Sequence, residues 1–288
     1  MLTDAVKGER FRFGGISAYV AGRGAPLVLV HSVNAAASVA EVRPLFEHFA
    51  KTRQVFALDL PGFGHSERGA RDYTPRLMTD ALHALVAQMR ARGVQGPVDA
   101  LAVSLGCEFL ARAAGERPAD WGRIALVSPT GMNGLAPRRG AAGSTRQVPA
   151  MLGILSVPLW SGGLFNTLTR PGVVRFFLEK TWGSKSIDEA AWDYAVRTAR
   201  EPGARFAPLA FLSGKLFSAD VTSVYEALAQ PVWMSHGVRG DFTDYRGKAL
   251  FEGRPNWRVT VYPTGALPYF ERPGEFIADF EAFLATPR

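Results

Sequence analysis

The sequence predicts an α/β fold, a mostly parallel sheet covered by helices on both faces, interrupted by a helical insertion. Short continuous apolar runs alternate with amphipathic helical stretches from the N-terminal quarter onward, the pattern of βαβ units whose strands are buried on both sides. The alternation stops between about residues 134 and 229 and resumes afterwards. A chain of 288 residues, 47% apolar and 20% charged, has ample material for such a core.

The elements follow in order. Glu9–Phe13 and Ile16–Val20 flank Gly14-Gly15, a dipeptide suited to the positive φ of a tight turn, and read as a hairpin. Leu27–Val30 and Val55–Leu58 are buried-strand runs, separated by an amphipathic segment around Leu45, Phe46 and Phe49. A helix should start at Thr74 as N-cap with Pro75 in its first position, bury Leu82, Leu85, Val86 and Met89, and stop at Gly93. Val98–Val103, Ile124–Val127, Val232–Met234 and Val259–Tyr262 are the later strands, and Phe276, Ile277, Phe280, Phe283 and Leu284 mark a last helix. The boundaries predicted are therefore a core of residues 1–133 and 230–288 and a cap of residues 134–229.

Composition narrows the classes of function. Cys107 is the sole cysteine, which excludes an internal disulfide framework and any multi-cysteine metal site, and suits a reducing, cytoplasmic setting. The net charge of +7 comes from arginines spread along the chain, without the clustering expected of a nucleic-acid binder. Residues 147–169 are uncharged but broken by prolines and glycines, so stable membrane insertion is not expected; peripheral lipid contact is the minority alternative.

The segment that carries chemistry is Ala102-Val-Ser104-Leu-Gly106. A strand ending at Val103 that passes at once into a helix forces the intervening serine into a sharp turn, which small residues two positions before and after permit. Such a turn, a nucleophile elbow, lifts the Ser104 hydroxyl clear of the sheet and aims the Leu105 N–H at a bound oxyanion. The sequence here resembles the α/β-hydrolase fold family over nearly its whole length. Leu27-Val-Leu-Val-His-Ser-Val33 is similar to the family's strand and His-Gly-X turn, Asp59-Leu-Pro-Gly-Phe-Gly-His-Ser66 to its D-x-P-G-x-G-x-S turn, Pro231–Gly237 to the strand before the triad acid, and Gly265–Pro273 to the loop bearing the triad histidine. The resemblance implies Ser104 as nucleophile, the N–H groups of Leu105 and Val33 as oxyanion hole, Asp241 (or Asp244) as acid, and a cap over the site.

Three positions depart from the family pattern. Ala266 occupies the histidine slot, with no histidine after His236; Gly240 stands where the acid is usual, the nearest carboxylates being Asp241 and Asp244; and Ser32 replaces the oxyanion-loop glycine. Serine needs an adjacent base, and loss of the histidine from a serine protease costs on the order of 10⁶ in turnover. His31 and His236, at the carboxyl ends of strands, are the alternative bases, against the plainer expectation that His31 and His65 pin loops and His236 merely ends a strand; Tyr269 is a further site-lining candidate whose phenol would need a large shift to serve. His48 and His83 should be solvated on helix faces, and Cys107 packed.

The functional expectation is hydrolysis of a carboxylic ester or lactone through Ser104 with a non-standard or missing base, without cofactor or metal, on a small apolar acyl or ring-containing substrate. The alternatives are a ligand-binding protein on the same fold, a lyase or cyclase that uses the oxyanion hole, and an engineered histidine-to-alanine variant. Oligomeric state is not encoded in any motif here.

Overall fold

A computed structural model describes residues 2–287. Eight strands form one sheet: β1 (Glu9–Phe13), β2 (Ile16–Ala21), β3 (Pro26–Val30), β4 (Gln54–Asp59), β5 (Val98–Val103), β6 (Trp121–Val127), β7 (Val232–Gly237) and β8 (Trp257–Tyr262). Their spatial order is β1-β2-β4-β3-β5-β6-β7-β8, antiparallel at β1/β2 and β2/β4 and parallel elsewhere. Core helices are α1 (Arg43–Phe49), α2 (Pro75–Ala91) and α3 (Gly106–Glu116), with α10 (Pro268–Glu271) and α11 (Pro273–Leu284) at the end. Between β6 and β7 run six helices: α4 (Met151–Leu155), α5 (Pro158–Leu168), α6 (Pro171–Trp182), α7 (Glu189–Thr198), α8 (Phe206–Leu212) and α9 (Val221–Glu226).

Period-2 alternation along β5 builds both cores at once. Val98, Ala100 and Ala102 face α2 and α3, among Leu82, Met89, Phe109 and Leu110, whereas Leu101 and Val103 join the layer of Phe46, Phe49, Phe276 and Phe280 from α1 and α11. Helix α2 begins as its sequence dictates, the Thr74 hydroxyl accepting the Leu77 N–H at 3.2 Å with Pro75 in the first turn. At the predicted stop, two residues past the end of α2, Gly93 takes φ +87°.

The topology fixes where a ligand can sit. β3 lies between β4 and β5, so the chain leaves β3 for one side and β5 enters on the other. The crevice beyond the carboxyl ends of β3 and β5 is the switch point at which open α/β sheets bind ligands. Register pairs Val30 with Ala102, which brings His31-Ser32 alongside Val103-Ser104.

The inserted helices are anchored by buried charge. Arg112 on α3 pairs with Asp220 at 2.7 Å, both nearly enclosed, and Asp220 also accepts the Gly143 N–H. Glu108, one turn into α3, accepts the Thr130 hydroxyl at 2.5 Å and the Ser218 N–H at 2.8 Å. Burial raises the Glu108 pKa above the usual carboxylate range, and these hydrogen bonds pull it back.

Candidate active site

Ser104 has φ +52°, a left-handed conformation that a side chain adopts at a cost of about 1–3 kcal/mol. Its neighbours hold it there: the Ser104 N–H donates to Val127 O at 2.8 Å, and its own carbonyl accepts the Cys107 N–H at 3.1 Å as α3 begins. Gly106 is obligatory, because a Cβ there would lie 2.4 Å from the His31 carbonyl oxygen. Ser104 stays half-buried while Val103 and Leu105 are enclosed. Among the described residues, no side chain hydrogen-bonds its hydroxyl, and no acceptor takes the N–H of Leu105 or of buried Val33.

The histidines at this edge are otherwise engaged. The Leu60 N–H donates to His31 Nε2 at 2.9 Å, so the imidazole proton sits on Nδ1, which donates to Ser32 O at 2.5 Å. Burial pushes the His31 pKa down to about 4, offset in part by the Ser32 bond. With both nitrogens committed, His31 is a structural pin and not a base for Ser104. His65 likewise bonds Thr3 O, at 3.0 Å. His236 donates from Nδ1 to Gly237 O at 2.8 Å and stacks on Tyr245 with centroids 4.1 Å apart; its Nε2 is enclosed without a polar partner among the described residues, and burial lowers its pKa.

Tyr269 is not a base either. Its hydroxyl donates to Glu41 O at 2.9 Å, and burial drives its pKa well above the ordinary phenol value. Of the two helix-face histidines, His48 meets Glu281 at 3.2 Å at the surface, but His83 is buried against Glu116 at 2.9 Å, contrary to its expected solvation. That partner lies on α3, 33 residues away, beyond the reach of a helical-stripe argument.

Ala266 and Asp241 belong to a clamp on α6. The last carbonyls of a helix lack internal partners; here the Ala266 N–H donates to Thr181 O at 2.9 Å and the Asp241 N–H to Lys180 O at 3.2 Å. Ala266 is buried, its own carbonyl accepting the Ser128 hydroxyl at 2.6 Å. The approach is too close for side chains: a Cβ on Gly265 would lie 2.3 Å from Trp182 O, and one on Gly240 2.2 Å from Lys180 O. The Asp241 carboxylate is exposed and paired with Lys180 at 3.3 Å, and Asp244 is paired with Arg246. Neither is the enclosed carboxylate that a triad acid requires. A surface cavity of about 420 Å³ lies at this clamp, lined by Phe176, Glu179, Ser184 and Asp241, and it does not touch Ser104.

One titratable group at the switch point has no counterpart in the sequence reading. Glu41 accepts the Ser32 N–H at 2.9 Å and the Asn34 amide at 2.6 Å. Its pKa is raised by burial and partly restored by those bonds, yet the residue keeps some solvent contact. An acid near the start of a helix gives no signal from sequence until the 31–34 loop is folded over it. Cys107, by contrast, is packed as expected, its thiol raised well above the ordinary value by burial. Among the described residues, no group of three His, Cys, Asp or Glu is arranged to hold a metal.

Residues 25–145 match the family model described as the alpha/beta hydrolase fold. No curated protein matches the chain. Among solved structures it is similar to a serine hydrolase involved in carbazole degradation (TM-score 0.74, 18% identity, 96% of this chain and 98% of that one). It is also similar to the epoxide hydrolase CorEH (0.72, 21%, 96% and 98%) and to 2-hydroxy-6-oxo-6-phenylhexa-2,4-dienoate hydrolase from Rhodococcus sp. strain RHA1 (0.73, 18%, 96% and 98%). At these identities the likeness establishes the fold.

Proposed function

We propose that this α/β-hydrolase-fold protein cleaves carboxylic esters or lactones with apolar acyl or ring portions, through Ser104, with the Glu41 carboxylate serving where the fold usually has an imidazole. The observation that carries the reading is the strained φ of Ser104, held by Gly106 against the His31 carbonyl at the sheet's switch point. Strain of this kind persists where the surroundings over-determine it, and it concentrates at reacting groups.

In this reading Glu41 takes the Ser104 proton, directly or through one water, as Oγ attacks the carbonyl carbon. The negative charge leaves the carboxylate as it appears on the carbonyl oxygen, where the Leu105 and Val33 N–H groups receive it, so two anions never stand side by side. Collapse expels the alkoxide, which recovers the proton from Glu41, and leaves an acyl-Ser104 ester; water, deprotonated by Glu41, then releases the acid. A carboxylate is a weaker base than imidazole, but desolvation raises its pKa and narrows the gap. Turnover should be slow.

Because the Glu41 pKa is raised, its basic form accumulates only above the usual carboxylate range, and the rate should climb with pH through that region. The pH–rate profile of a short aryl ester tests this: Glu41→Gln should remove the rising limb and Ser104→Ala all turnover. An unchanged profile in Glu41→Gln would place the base elsewhere. The clamp of Ala266 and Asp241 on α6 favours a second reading, a ligand-binding protein with a vestigial elbow. In that case apolar esters would raise the melting temperature without being cleaved.

A further inference from the structure

We propose that the outer face of the inserted helices docks onto a membrane surface rich in anionic lipid. The face is built from Val148, Ile154, Leu159, Trp160 and Leu212, whose exposures are 47%, 60%, 88%, 46% and 44%. They form one patch. The Trp160 indole donates to Ile154 O at 2.9 Å, the Val148 N–H donates to Ser213 O at 2.9 Å beside Leu212, and α4 packs on α8. Large apolar side chains gathered on a surface mark an interaction site, whereas scattered ones need no explanation.

Charge identifies the partner. Between residues 134 and 187, five arginines and two lysines accompany a single acid, Glu179; Arg139, Arg175 and Lys180 pair with Glu226, Glu189 and Asp241 from outside the stretch, which leaves Arg138, Arg146, Arg170 and Lys185. Arg146 and Arg170 flank the patch, Arg146 two residues before Val148 and Arg170 just beyond the far end of α5, about 16 Å from its start. Among the described residues neither has a carboxylate within ion-pair distance, and the Arg146 guanidinium lies over the Phe217 ring, 5.3 Å from its centroid. A second copy of the chain would fit poorly, since a two-fold contact sets each patch against itself and brings like charges together. Apolar anchors, an amphipathic tryptophan and unpaired cations are the composition of a surface that lies in the headgroup region of an anionic bilayer. No described helix is long and apolar enough to cross a membrane, which leaves surface binding as the available mode. Docking does not depend on the chemistry of Ser104.

Sedimentation with phosphatidylglycerol vesicles, and with phosphatidylcholine vesicles for comparison, tests this on the full chain. The protein should partition onto phosphatidylglycerol at least about tenfold better, and lose about as much between roughly 50 and 500 mM NaCl. Leu159→Ser with Trp160→Ser, both exposed, should cut binding about tenfold with an unchanged melting curve, and Arg146→Glu should weaken binding to phosphatidylglycerol alone. Absence of vesicle binding, indifference to lipid charge, full binding by the double variant, or self-association that the double variant abolishes would overturn it.

Discussion

Acid should destabilise the native state through His31 by an amount that the structure sets. The folded imidazole, enclosed and bonded as the Nδ1–H tautomer, has its pKa pushed down to about 4 from the ordinary 6.5. The unfolded chain therefore takes up the proton first. The penalty is absent above pH 6.5 and grows as pH falls towards 4, at 1.36 kcal/mol per unit. At pH 5 it is about 2 kcal/mol, and its full extent is about 3 kcal/mol. Half-buried Glu41 and buried Asp59 and Glu108 act in the opposite sense: their raised pKa values let the folded state hold protons more readily, so acid favours it. A variant isolates the histidine. His31→Gln can keep an acceptor for Leu60 N–H and a donor for Ser32 O but does not titrate. Urea unfolding followed by tryptophan fluorescence at pH 7 and pH 5 should show the wild type losing about 2 kcal/mol relative to His31→Gln. A difference that stays constant with pH would mean that the imidazole protonates freely in the folded protein, and would return it to the list of bases.

Gly106→Ala places a methyl 2.4 Å from backbone oxygen of His31, so the elbow must open; we expect a stability loss of at least about 1–3 kcal/mol in urea titrations and no Ser104 reactivity. Ala266→His should give far less than the roughly 10⁶-fold that a triad imidazole supplies in aryl-ester assays, because the Asp241 carboxylate is tied to Lys180 at the surface. The Cys107 thiol, buried and raised, should resist a thiol reagent at pH 7 in the native state and react once the chain unfolds, which a native-versus-urea labelling time course measures.

What the sequence disclosed was what local rules govern. Hairpin, buried strands and the Thr74-Pro75 start of α2 depend on neighbours a few residues apart, and each lies where its pattern predicted. The elbow was legible for the same reason, small residues flanking Ser104 at the join of β5 and α3. Long-range pairings were not. Glu41 gains its meaning from the Ser32 amide and Asn34, His83 from Glu116, and the fate of Asp241 from carbonyls at the end of α6. Spacing counted from β7 points to Asp241 in the loop that follows it but cannot say that this loop closes on α6. Helix α5 shows the converse limit: apolar on nearly all sides, it has no stripe from which a sequence could separate the face that packs from the face that does not.

Labelling with a fluorophosphonate, read by intact mass and peptide mapping, addresses the role of Ser104 most directly. One adduct should form, on Ser104, at a rate that rises with pH and falls sharply in Glu41→Gln. No adduct after hours, or an adduct that persists in Ser104→Ala, would contradict an activated serine at the elbow.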